Sequence, residues 1–181
     1  MPSALRKSRY MTCLACLAFM ALSAAFVCAE TLPRFEGDTL SKKPIALPDA
    51  AHGKITLLVI GFTKKGGQTT GAWQKQFRND FGADERYAVY PVAVLEDVPH
   101  FIRGMITRGI RSSTPPSEQD HFVILVHGEQ DLKRFVGYSS PDDAYLLLLD
   151  AKGEIRWRGH GLFNDKDYAA LKNVAKQLSS E

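Results

Sequence analysis

Short apolar runs alternate along this chain with segments whose apolar positions recur every third or fourth residue. Ile55-Thr56-Leu57-Leu58-Val59-Ile60-Gly61-Phe62 is continuous and predicts a strand covered on both faces. Residues 63–71 (TKKGGQTTG) read as a Gly-rich loop, followed by a helix at about 69–81 in which Trp73, Phe77 and Phe81 recur at i, i+4 and i+8. Tyr87 to Leu95 predicts a second strand. Pro99 opens a second helix, with Phe101, Ile102, Met105, Ile106 and Ile110 as one apolar stripe. Residues 112–119 form a loop, His121–Val126 a third strand, and 129–136 a short helix stopped near Gly137. Tyr145–Leu149 is a fourth, wholly apolar strand. Asp150-Ala151-Lys152-Gly153 turns the chain into Glu154–Arg158, which alternates with Ile155 and Trp157 on one face. A last helix begins at an Asn164 cap and buries Tyr168, Leu171, Ala175 and Leu178. Before the first strand, residues 30–52 are polar and interrupted by Pro33, Gly37, Pro44 and Pro48. They predict an extended lead-in with a short hairpin around Asp38–Pro44.

Strand–helix–strand units demand parallel pairing, and the last two strands demand an antiparallel edge. A central mixed sheet between two helical layers satisfies both. The expected fold is α/β: a thioredoxin-like three-layer αβα sandwich with an antiparallel C-terminal hairpin, as a single domain over residues 30–181.

Composition changes the picture at the N-terminus. Of the 181 residues, the first 29 hold no acid, three bases (Arg6, Lys7, Arg9) and all three cysteines (Cys13, Cys16, Cys28). A basic start, an apolar stretch Met11–Val27 and Val27-Cys28-Ala29 before Glu30 have the layout of a secretory signal peptide cleaved after Ala29. A membrane anchor formed by residues 11–29, lipidation at Cys28 and a mitochondrial presequence are the competing readings. Export predicts a periplasmic or otherwise extracytoplasmic protein. The net charge of +3 belongs to this leader, because the remaining 152 residues balance 20 Lys and Arg against 20 Asp and Glu. No nucleic-acid partner is expected from a neutral domain.

The same subtraction leaves residues 30–181 without a thiol. The loop after the first strand is where thioredoxin-like folds carry reactive cysteines, at a helix N-terminus that lowers their pKa. Here it reads Thr63-Lys64-Lys65-Gly66-Gly67-Gln68-Thr69-Thr70-Gly71. A threonine hydroxyl cannot cycle electrons, so disulfide exchange and thiol peroxidase chemistry have no group to run on. As a phosphate cradle the loop fails as well, since Gly67 and Gln68 stand where a P-loop needs Lys and a hydroxyl. A weaker anion site at its N–H groups with Lys64 and Lys65 remains as an alternative function.

His52, His100, His121, His127 and His160 form no ligand-spaced pair; His121 and His127 would lie roughly 20 Å apart along a strand. No metal or other cofactor is expected. The serines carry no G-x-S-x-G elbow, and the pairs Glu96-Asp97 and Asp142-Asp143 read as solvated loop ends whose neighbours point apart. Two features suit binding. Arg156 and Arg158 flank Trp157 on the edge hairpin, near His160. Arg103, Arg108 and Arg111 border the apolar stripe of the second helix, a pattern fitted to an acidic partner or a membrane surface, although core packing of the stripe is the expectation.

Four segments carry a resemblance. They are Phe35-Glu36-Gly37-Asp38-Thr39-Leu40 with Leu47-Pro48; Gly53-Lys54-Ile55-Thr56-Leu57-Leu58; Gly71-Ala72-Trp73-Gln74-Lys75-Gln76-Phe77; and Ala144-Tyr145-Leu146-Leu147-Leu148-Leu149-Asp150 leading to Ile155-Arg156-Trp157-Arg158-Gly159. In these the chain resembles the mitochondrial ATP synthase (F-type ATPase) assembly factor family of the thioredoxin-like superfamily. That resemblance implies a non-redox chaperone that helps a membrane subunit of ATP synthase into its complex. Trp73, Arg156 and Trp157 would then be fold or contact residues, not catalysts. Such proteins work on the matrix side of the inner membrane, whereas a secretory leader sends this chain out of the cytoplasm. The expected partner is a protein, with a membrane-complex subunit as the candidate, close to a membrane. The expected partner-binding residues are Lys64, Lys65, Gly66, Gly67, Trp73, Arg156, Trp157 and Arg158.

Overall fold

A computed structural model describes residues 30–180, so the leader expected at residues 1–29 lies outside the described residues. Among the described residues, seven strands form one sheet in the order β2-β1-β5-β4-β3-β6-β7. They are β1 (Phe35–Thr39), β2 (Pro44–Leu47), β3 (Ile55–Gly61), β4 (Tyr87–Val94), β5 (Val123–Leu125), β6 (Ala144–Leu149) and β7 (Ile155–Gly161). Strands β3, β4 and β5 run parallel, while β6 is antiparallel to both β3 and β7. The β1–β2 hairpin caps the far edge antiparallel to β5. Among the described residues, four α-helices pack on the sheet: α1 (Lys64–Phe81), α2 (His100–Ser113), α3 (Glu129–Val136) and α4 (Asp165–Leu178). No helix among the described residues is long and apolar enough to cross a membrane.

The continuous apolar strands are buried on both faces, as their pattern demands. Leu57 and Val59 of β3 join Leu146 and Leu148 of β6 beneath α1 and α4, in a cluster that includes Trp73, Phe77, Phe81, Tyr168 and Leu171. Leu58 and Ile60 point the other way, with Leu147 and Leu149, against Leu132 of α3. Three layers follow directly from this period of two. Helix α3 is closed by Gly137, whose φ of 67° lies in the left-handed region that a Cβ disfavours.

Three local expectations change. First, residues 64–71 are the opening turns of α1 rather than a loop. Thr63 caps the helix, its Oγ1 accepting from the Gly66 N–H at 3.0 Å, and the glycines that resembled loop punctuation are helical. Secondly, the β6–β7 register shifts at Leu148/Leu149, so that Leu149 opposes Ile155 and Leu148 opposes Trp157. This bulge puts Ile155 with the Leu149 cluster and Trp157 with the Leu148 cluster, on opposite faces instead of one. Thirdly, the apolar stripe of α2 does not become core. The helix buries no residue, and Phe101 and Met105 are 84% and 66% exposed. Only Ile106 and Ile110 pack, against the small cluster around Leu95 and Ile124.

Candidate functional site

The strand-to-helix junction at Thr63 sits at the end of the sheet where β3, β4 and β5 finish. Thr63 ties it to the segment before β6: its hydroxyl donates to the Pro141 carbonyl at 2.7 Å. Thr69 Oγ1 lies 3.0 Å from the Asp142 carbonyl, and Lys65 Nζ lies 2.6 Å from Asp142 Oδ2. That carboxylate holds the Lys65 amine above its ordinary pKa through the hydrogen bond first and charge second. The glycines serve close approach. A Cβ on Gly61 would stand 2.8 Å from the Gly67 backbone, and one on Gly66 would stand 2.9 Å from the Pro141 carbonyl oxygen. The helix N-terminus is thus packed against β3 and the 141–143 segment. The Gly66 N–H is taken by Thr63 and Lys65 by Asp142, which leaves Lys64 as the lysine of the pair without an ion pair among the described residues.

Carboxylates expected to be solvated are engaged here. Asp142 meets Lys65 and Asp143 meets His160 Nδ1 at 2.9 Å, while the His160 ring stacks on Tyr145. Neighbours do point apart, but each has found a partner. Glu96 accepts from the Glu129 N–H at 2.6 Å, and Glu129, only 3% exposed, accepts from the Asp97 N–H and pairs with Lys133 Nζ at 2.5 Å. Burying Glu129 is tolerable because both of its oxygens are bonded. The hydrogen bond to Glu129 raises the pKa of Lys133, whose ammonium lies 4.9 Å from the Tyr138 ring centre. Among the described residues, no three His, Cys, Asp or Glu gather as a metal site.

The loop that carries Glu96 also holds α2. Its first turn is fixed from the loop side, with Arg103 donating to the carbonyls of Glu96 and Val98 at 2.6 and 2.7 Å. Its last turn is fixed by Thr114 Oγ1 on the Ile110 carbonyl and by Gln119 Nε2 on those of Arg111 and Thr114. Between these anchors α2 stands away from α1. The space between the helices is a groove of about 840 Å³. Residues 91–95 floor it, Gly67, Gly71 and Gln74 line the α1 side, and Ile106, Gly109 and Ile110 line the α2 side. A Cβ on Gly67, Gly71 or Gly109 would meet no atom within 4 Å. Pattern reading missed this groove by assigning the stripe to the core. No local signal in the sequence could have found it, because the groove depends on the spacing between two helices.

The eight residues expected to bind a partner do not converge. Lys64, Lys65, Gly66 and Gly67 share the α1 N-terminus. Trp73 is fully buried two turns on, with its indole N–H on the Gly161 carbonyl at 3.2 Å and its ring 5.1 Å from that of Phe163. Trp157 is half-buried in the same cluster. Arg156 lies at the start of β7, bonded to Asp150 Oδ2 at 3.2 Å. Arg158 bonds Glu30 at 2.5 Å and the Phe135 carbonyl at 3.0 Å, with its guanidinium 4.6 Å from the Phe135 ring centre. Those two arginines join the hairpin to its own turn, to the lead-in and to α3.

Solved structures share this fold at low identity. The thioredoxin domain of a thiol-disulfide oxidoreductase from Bacteroides vulgatus superposes with a TM-score of 0.58 at 17% identity, over 81% of this chain and 96% of that one. A SCO1/SenC family lipoprotein from Bacillus anthracis gives 0.57 at 15%, over 83% and 96%. BsSco, of the Sco family of cytochrome c oxidase assembly proteins, gives 0.54 at 12%, over 81% and 94%. These likenesses establish a thioredoxin-like fold. No curated protein matches the chain in sequence. The ATP10 protein family matches residues 27–178, which is nearly the whole described chain. On that match the chain belongs to the ATP10 protein family.

Proposed function

We propose that this protein is a thiol-free assembly factor for ATP synthase, which works by holding a polypeptide rather than by exchanging disulfides. The observation that carries the reading is the composition of the β3–α1 junction. Where a thioredoxin-like oxidoreductase needs a thiolate at a helix N-terminus, this chain has Thr63, Lys64, Lys65, Gly66 and Gly67. The junction is knitted to Pro141 and Asp142 instead of being open to a substrate disulfide. Membership of the ATP10 protein family supports the ATP synthase assignment. The protein is exported by residues 1–29 and acts at the outer face of a membrane on a membrane-complex subunit.

Deleting the gene and resolving membrane complexes on native gels tests this. Assembled ATP synthase falls, and the full-length protein restores it. Unchanged assembled enzyme in the deletion strain would sink the assembly role. Sequencing the N-terminus of the protein taken from its own cells tests export, with Glu30 in the extracytoplasmic fraction as the expected result and an intact leader in the cytoplasm as the contrary one.

A further inference from the structure

Helix α2 presents one face to the sheet and a different one to solvent. Ile106 and Ile110 face inward, onto the small cluster around Leu95 and Ile124. Phe101, Met105 and Arg108 follow at i, i+4 and i+7 on the opposite side, and all three are exposed. We propose that this outer face rests on an anionic lipid surface. Phe101 and Met105 enter the boundary between headgroups and acyl chains, and Arg108 and Arg111 meet the phosphates. The proposal rests on the membrane-side role above and supplies what keeps the protein at the membrane once residues 1–29 are removed.

Charge selects an anionic surface. From Pro99 to Ser117 the chain holds Arg103, Arg108 and Arg111 and no acid. Arg103 holds the first turn through backbone carbonyls. Neither Arg108 nor Arg111 has an ion pair among the described residues, and the shielded Nε of Arg111 makes no hydrogen bond. Acids on either side of the helix are matched elsewhere: Asp97 lies 3.5 Å from Lys133, Glu118 3.1 Å from Arg78 and Asp120 2.7 Å from Lys43. Shape selects lipid over protein. Protein interfaces draw their affinity from side chains seated in packed pockets, whereas Phe101 and Met105 stand on the outer crest of a helix and do not line the α1–α2 groove. Acyl chains close around a protruding side chain without a matching cavity, and a helix lying flat satisfies its own backbone at the interface. An isologous pair of these faces would set Arg108 and Arg111 against their own images, which repels.

The test uses the processed protein purified from its own cells and vesicles of phosphatidylcholine, alone or mixed with phosphatidylglycerol. Co-sedimentation should show at least about tenfold tighter binding to the mixed vesicles. Replacing Phe101 and Met105 together by Ser should weaken that binding about tenfold or more, and Arg108→Glu, a reversed charge on an exposed side chain, should do the same. Circular dichroism should show both variants folded. Phe101→Trp places an indole at the membrane, and brominated phosphatidylglycerol should quench it. Wild-type protein should not be quenched, because Trp73 and Trp157 pack in the cluster beneath α1 and α4. Equal binding to the two kinds of vesicle, binding to neither, wild-type binding by either variant, or an unquenched indole at position 101 overturns the proposal. Photocrosslinking from position 101 to a protein in place of lipid would assign the face to a protein and overturn it too. So would self-association in the ultracentrifuge that the double Ser variant removes. Vesicle binding does not involve ATP synthase, so failure of the assembly role and failure of the lipid-facing surface are read separately.

Discussion

Helices α1 and α2 lie over the same side of one sheet, yet they are built for opposite ends. Six residues of α1 are buried, among them Trp73 and Phe77, while α2 buries none and is fastened at its two ends. Both helices carry apolar stripes of comparable length. What separates them is what faces each stripe. α1 lies over the centre of the sheet, where α4 closes the layer with Tyr168 and Leu171. α2 lies toward the β5 side, with only Ile106 and Ile110 reaching a small cluster. The comparison teaches that an amphipathic helix states that it needs a partner but not whether the partner lies within the chain.

Four perturbations sharpen this contrast, in falling order of effect. Trp73→Ala should cost about 3–5 kcal/mol in denaturant unfolding, because the indole fills the tight cluster and no neighbour can follow it. A cost below that of an ordinary surface change would contradict the packing described for α1. Within α1 itself, Gly66→Ala should destabilise by about 1–3 kcal/mol, since its Cβ meets backbone oxygens that cannot turn away. Gly71→Ala, one turn along and facing the groove, should instead stabilise by about 0.5–1 kcal/mol. Equal effects at the two glycines would mean that the groove wall is closed.

The third perturbation is a pH dependence. Asp80 accepts from the Tyr168 hydroxyl at 2.5 Å and pairs with Lys172 at 3.0 Å, joining α1 to α4. The Tyr168 hydrogen bond, followed by that from Lys172, holds the Asp80 carboxyl below its ordinary pKa, against the opposing pull of desolvation. A depressed folded-state pKa gives stability that is complete above the unfolded value, near pH 4, and is lost as pH falls through the folded value. Thermal melts should show Asp80→Asn less stable than wild type at neutral pH, with the gap closing below about pH 4. A gap that does not change with pH would remove the charge from the account. Last, replacing Phe101 and Met105 together by Ser should shift stability by no more than about 0.5 kcal/mol, as both side chains are solvated. A larger loss would show that α2 is packed in solution.

The fold was legible because period and length agree at nearly every element. The run Ile55–Gly61, apolar apart from Thr56, the alternation of its two faces and the Gly137 stop each have a physical cause visible in sequence. Residues 63–71 misled because glycine marks loops and close helix packing alike; the decisive fact, the Pro141 carbonyl against Gly66, is long-range. The Ile155–Trp157 pair misled because a bulge depends on the register of the facing strand. Of the eight candidate binding residues, four gather at the α1 N-terminus, since they are contiguous. The groove beside them depends on the distance between two helices, and no local pattern encodes that.

The central claim is that this thioredoxin-like chain acts by binding and without a thiol. Its most direct measurement is the amount of assembled ATP synthase in cells whose sole copy of the gene encodes Cys13→Ser, Cys16→Ser and Cys28→Ser together. All three cysteines fall within residues 1–29, the proposed leader, so the account predicts wild-type levels of assembled enzyme. Loss of assembly, with the protein itself present in normal amount and location, would contradict it.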